Sequence, residues 1–280
     1  LIGTILLILT YLFFSVMELT AKELALRFNP FLIVFARYLS QLILLLIIFN
    51  KQFKTHLKSN HKPLQIVRGA LLMITTCFMF TGLAYLQFAE NISIYMIGPV
   101  ITTILAILIL KEKISFTQIL VVIIGLIGAL IIASPNKGAF NYAVIFPFLA
   151  ALCFAFFTIS TKFLNTSDSN QTTLLFTAIT GTILSLPFII YFWKWPNLND
   201  AILMFCLGFL ATAGHFLFIE ALKVINASFA APFVYLTVLL AAFWGYILYD
   251  EIPSQNTFIG AFLIITSGFI ITRFKKKNFK

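Results

Sequence analysis

Charge is scarce in this chain of 280 residues: Asp, Glu, Lys and Arg together make up 10% of it, and only 9 residues are acidic. Soluble domains carry roughly 25% charged residues, so a water-exposed globule is excluded. Cysteine is nearly absent as well. Cys77, Cys153 and Cys206 all fall inside apolar stretches, with neither disulfide nor metal spacing, and read as small core residues. No metal or cofactor is expected. The chain has no GxxxxGK[ST] segment, so direct drive by ATP is excluded, and no HExxH. The residue-by-residue alternation of barrel strands is missing too.

What the chain has is apolar length. Hydrophobic residues make up 61% of it and the mean hydropathy is +1.04. Runs of about 20 residues, enough for a helix to cross the hydrocarbon core, recur at 1–22, 30–49, 65–87, 91–110, 115–134, 141–162, 171–193, 199–222, 226–249 and 254–273. The expected fold class is therefore all-α, a polytopic membrane protein with ten transmembrane helices. The first run has no small-residue cleavage site, which argues against a signal peptide. The start at Leu1 without methionine reads as a few residues missing.

The net charge of +10 does not point to nucleic acid, because its distribution follows the spans. The even-numbered gaps and the C-terminal tail hold 14 of the 19 basic residues, from Lys51, Lys54 and Lys58 to Lys275, Lys276, Lys277 and Lys280. By the positive-inside rule both termini are then cytoplasmic, with lipid as the surrounding partner. Two landmarks recur at nearly one offset: Lys22 and Lys162, each closing an aromatic run, and Glu112 and Glu251 in similar acidic turns. A repeat of five spans is odd in number, so a duplicated half enters the membrane upside down. The expected units are 1–134 and 141–273, joined by the short turn Ser134–Gly138 into one membrane domain.

Polar stripes mark the helices with something to face. Tyr11, Ser15, Glu18 and Lys22 share one face of the first span, and Asn91, Tyr95, Gly98 and Thr102 one face of the fourth. Arg37 lies inside the second span, where an ionised side chain is costly and usually functional. Glu18 is either a proton or cation site or a partner of Lys22 or Arg37. Arg37 in turn either holds a substrate carboxylate or phosphate through a bidentate fork or neutralises Glu18. His215 and Glu220, on different faces of the eighth span, are further candidates for proton or charge handling. His215 is expected to bond a neighbouring helix, and Glu220 to pair with Lys223 near the membrane surface. Glu112 and Glu251 read as caps.

In order and spacing, several short motifs resemble the EamA-type carriers of the drug/metabolite transporter superfamily. They are Arg37, Arg68-Gly69, Pro99 ahead of Lys111-Glu112-Lys113, Gly214-His215, Ala221-Leu222-Lys223, Ala231-Pro232-Phe233 with Tyr235, Gly245, and Glu251-Ile252-Pro253. The resemblance implies ten helices in two inverted five-helix repeats, with a central cavity lined by spans one to four and six to nine. On those spans Tyr11, Phe14, Tyr95, Phe154, Phe157, Thr158, Tyr235 and Trp244 join Glu18 and Arg37 as candidate substrate contacts, since aromatic faces hold planar or cationic solutes. The expected function is secondary transport of a small organic metabolite, amino-acid-, flavin- or S-adenosylmethionine-like, by alternating access. Proton coupling or solute exchange would drive it. The alternatives are a proton-coupled exporter of cationic drugs, a membrane scaffold, or an intramembrane enzyme built on His215 and Glu220.

Overall fold

The computed structural model describes residues 2–86, 88–133, 142–249 and 255–275, and among them every regular element is helical. In chain order these are α1 (Ile2–Ala25), α2 (Pro30–Phe49), the single turn α3 (Phe53–His56), α4 (Lys62–Tyr85), α5 (Phe88–Tyr95), α6 (Gly98–Leu108) and α7 (Phe116–Ala133). After them come α8 (Ile145–Leu164), α9 (Asn170–Phe192), α10 (Leu198–Val224), the single turn α11 (Ala227–Ala230), α12 (Leu236–Tyr249) and α13 (Gln255–Lys275). The turn Ser134–Gly138, the acidic turn with Glu251, and the last lysines lie outside the described residues.

The helix starts follow from local chemistry. Asn29 accepts from the Phe31 amide at 3.0 Å with Pro30 in the first turn of α2, Ser169 accepts from the Thr172 amide at 3.1 Å on α9, and Asn197 accepts from the Asp200 amide at 2.8 Å on α10. Each satisfies an amide that the helix itself leaves orphaned. In lipid that orphan would have no water to turn to.

Among the described residues, seven helices are long and apolar enough to cross a membrane, and three shorter apolar ones span Gly98–Leu108, Phe116–Ile131 and Phe258–Ile270. The ten transmembrane helices expected from the sequence thus appear among the described residues as seven full-length spans and three shorter helices. The fourth apolar run is divided at Met96-Ile97 into α5 and α6, because Pro99 has no amide to bond the Tyr95 carbonyl. The ninth is remodelled in the same way. Pro232 sits in a 3-10 stretch, Ala231–Tyr235, that joins α11 to α12.

Helix packing pairs the two halves of the chain with each other. α1 lies along α10 and α4 along α8; α2 packs on α9, and α7 on α13; α2 also meets α10, and α4 meets α9. Swapping the halves leaves this pattern of pairs unchanged. Close approach is set by small residues: at Gly208 on α10 a β-carbon would come within 2.4 Å of Ser40 Cβ and 2.7 Å of the Gln41 amide nitrogen on α2. Large apolar side chains such as Ile5, Ile47, Phe116, Ile123, Phe262 and Ile265 are exposed on the outside, where lipid covers them.

Candidate functional site

A partly open cavity, about 860 Å³ counting the space that opens to its surroundings, lies between α1, α2, α4, α5, α8 and α10, and Val234 and Thr237 also line it. α1 contributes Tyr11, Phe14, Met17 and Glu18, α2 contributes Arg37, and α4 contributes Thr75, Thr76, Met79 and Phe80. Tyr95, Phe154 and His215 complete the wall. The lining is mostly apolar with a few convergent polar groups, the usual make-up of a small-molecule site.

Arg37 is 2% exposed, yet no carboxylate among the described residues pairs with it. One terminal nitrogen donates to Thr76 Oγ1 at 3.0 Å and the other meets His215 Nε2 at 2.8 Å, while Nε has no partner. A guanidinium only donates. His215 must therefore accept through Nε2, which places its proton on Nδ1, an atom that also lacks a partner. The imidazole is packed by the Phe14 ring at 4.8 Å and by the edge of Phe157 at 5.7 Å. Gly214 permits this contact, since a β-carbon there would meet the Phe14 ring at 2.5 Å.

Glu18 lines the same cavity from the next face. Among the described residues it has neither an ion pair nor a hydrogen bond to Arg37, so the expected neutralising pair does not form. A carboxyl group and a guanidinium thus line one cavity without bonding to each other. The aromatic walls, Tyr11 against Phe14 at 6.0 Å and Tyr95 against Phe154 at 6.0 Å, leave planar surfaces between them.

Comparison with known proteins decides what kind of molecule carries this cavity. The EamA-like transporter family matches residues 1–134 and again 141–273. The chain belongs to that family. It is 28% identical over 264 residues to the S-adenosylmethionine uptake transporter of Rickettsia prowazekii, covering 94% of this chain and 90% of the relative. It is 27% identical over 215 residues to the riboflavin transporter of Vibrio cholerae, covering 76% and 72%. A solved crystal structure superposes with a TM-score of 0.84 over 98% of both chains at 15% identity, a likeness of fold. The EamA-like protein is thus a multi-pass membrane transporter of the drug/metabolite transporter superfamily and not an enzyme.

Of the residues picked from the sequence, Tyr11, Phe14, Glu18, Arg37, Tyr95, Phe154 and His215 meet at the cavity of this EamA-like chain. The others do not line it. Phe157 lies below it, fully buried, and Thr158 donates to the Phe154 carbonyl of its own helix at 2.9 Å. Tyr235 is spent on packing: its hydroxyl donates to the Val122 carbonyl at 3.1 Å. Trp244 Nε1 donates to Ser15 Oγ at 3.2 Å and steadies α1 from behind. Glu220 accepts from Asn170 Nδ2 and sits 3.4 Å from Lys223, which fits the surface pair and separates it from His215. Met17, Met79, Phe80 and Val234 were not foreseen, and no signal in an apolar run distinguishes them from lipid-facing neighbours. Thr76 and Thr237 had a signal, hydroxyls in the middle of spans.

Proposed function

We propose that this protein is a secondary carrier for a small metabolite bearing an amino-acid group and an aromatic or cationic body, of the S-adenosylmethionine kind, working by alternating access in a bacterial inner membrane. The observation that carries this reading is that Glu18 and Arg37 face one cavity without pairing. A guanidinium held by neutral acceptors in the membrane interior costs about 2.5–3.5 kcal/mol on insertion scales. A solute carboxylate would recover that cost through a bidentate contact, with the solute's positive group near Glu18 and its ring between Tyr11, Phe14, Tyr95 and Phe154. The names of the rickettsial relatives favour the same solute class.

The two family-matched halves act as inverted repeats in this reading, since the helix pairs exchange when the halves are swapped. With both termini cytoplasmic, the cavity faces the outer side and the termini end is closed. A proton on Glu18 or exchange of solutes supplies the energy. Uptake of labelled S-adenosylmethionine, methionine and riboflavin into proteoliposomes tests the reading. Saturable uptake of S-adenosylmethionine that is lost in Arg37→Gln supports it; uptake of riboflavin alone would move the solute class to flavins, and uptake of none would remove the solute class proposed here.

A further inference from the structure

A second buried guanidinium lies on the other side of the cavity floor. Arg68 of α4 is 0% exposed. Its Nε donates to Thr161 Oγ1 at 2.7 Å, and Nη1 donates to Thr177 Oγ1 at 2.5 Å and faces the Thr173 carbonyl at 3.5 Å. All three acceptors are neutral. Both hydroxyls already donate their own protons to backbone carbonyls, Thr161 to Phe157 and Thr177 to Thr173, each at 2.7 Å. No carboxylate pairs with Arg68 among the described residues, and Nη2 has no partner at all.

Its position relates it to the cavity. The guanidinium lies over the Phe157 ring at 4.4 Å. The edge of that ring faces His215 at 5.7 Å, and His215 Nε2 is 2.8 Å from Arg37. One phenyl and one imidazole therefore separate the two charges. Below Arg68, Gln65 donates to Thr173 Oγ1 at 3.1 Å and to Asp168 at 2.8 Å, which leads to the loop at the termini end. Gln65 already ties α4 to α9 with a neutral amide, so a tie at this level does not require a permanent charge. A fixed charge without a counter-ion fits a site that is completed by an anion.

We infer that Arg68 is a second station on the translocation path, taking the solute's carboxylate from Arg37 when the floor formed by Phe157 and His215 opens. This rests on the carrier reading above, and so the test has an arm that needs no solute. In that arm, protein in membrane vesicles is treated with phenylglyoxal and the modified arginines are mapped by mass spectrometry. A station becomes reachable as the carrier cycles, so Arg68 is modified under native conditions; a permanently buried rivet is not, and an unmodified Arg68 overturns the inference.

The second arm compares exchange of S-adenosylmethionine with exchange of its decarboxylated analogue in Arg68→Gln, which keeps donors and removes charge. The expected result is a loss of about tenfold or more for the carboxylate alone, with partial recovery in Arg68→Lys and unchanged binding of S-adenosylmethionine to the outer cavity. Equal loss for both solutes, or loss for neither, contradicts the inference. If wild-type protein carries no S-adenosylmethionine, the solute class proposed above falls and the labelling arm alone decides whether Arg68 is on the path.

Discussion

The two ends of the molecule are held in different ways. At the end bearing the N-terminus, polar groups of one half are tied to the other half through the middle of the bundle. Asp168 accepts from Ser59 at 2.5 Å, the Asn60 amide at 3.1 Å and Gln65 at 2.8 Å; Arg68 holds Thr161 and Thr177. Glu112 accepts from the amides of Ala227 and Ser228 at 2.9 and 3.1 Å, capping α11. At the opposite end the ties gather on one flank, where Arg27 pairs with Asp200 at 2.5 Å and Lys194 donates to the Arg27 carbonyl at 3.0 Å. The cavity lies beside that flank. In a bundle knitted at one end and hollow near the other, the polar groups do different work according to depth.

The sharpest test of that contrast is at the hollow end. Arg37→Gln removes the cavity's only buried cation among the described residues, and uptake efficiency should fall about 100-fold, the usual scale for losing one member of a buried charge contact. Thr76 keeps its bond to the Leu72 carbonyl at 2.9 Å, so the unfolding temperature should move little. Loss of fold in place of loss of uptake would make Arg37 structural.

Between the ends, Gly208→Ala should act on stability. The added β-carbon meets backbone of α2, which cannot turn aside, and overpacking of this kind costs about 1–3 kcal/mol. A thermal melt in detergent should fall by several degrees, whether or not solute is bound.

At the knitted end, Asp168→Asn should cost about 1 kcal/mol once solvent screening of a partly exposed group is allowed for. Burial pushes the Asp168 carboxyl up, but the bonds from Ser59, Gln65 and Asn60, with His61 nearby, win and hold it below the usual carboxylate range. A depressed carboxyl stabilises the fold above its unfolded value and loses that contribution as pH falls through the folded one. Wild-type melts should therefore decline toward Asp168→Asn only in strong acid, below about pH 4, and parallel curves at all pH values would sever the link. The smallest effect belongs to Lys223→Ala. Both side chains of its 3.4 Å pair with Glu220 are 35% exposed, and such pairs are worth less than about 1 kcal/mol, so melt and uptake should stay near wild type.

The helical membrane fold was legible because apolar length and loop charge are one-dimensional signals. The breaks in the fourth and ninth runs were legible only as prolines; that Pro99 would end α5 at Tyr95 depends on the neighbouring helices accepting the split. In the cavity, Glu18, Arg37 and His215 stood out because ionisable groups are rare in lipid. Their pairing did not follow, since Arg37 and His215 lie 178 residues apart in the chain and meet through packing. Aromatic candidates fared unevenly for the same reason: Tyr95 and Tyr235 look alike in sequence, but only Tyr95 faces the cavity, while Tyr235 is turned toward Gly125 on α7.

The most direct measurement of the central claim is equilibrium binding of S-adenosylmethionine to purified protein, compared among wild type, Arg37→Gln and Glu18→Gln. The account predicts saturable binding by wild type that each substitution weakens, Arg37→Gln more strongly, with the decarboxylated analogue insensitive to Arg37. Binding that is the same in all three proteins would contradict it.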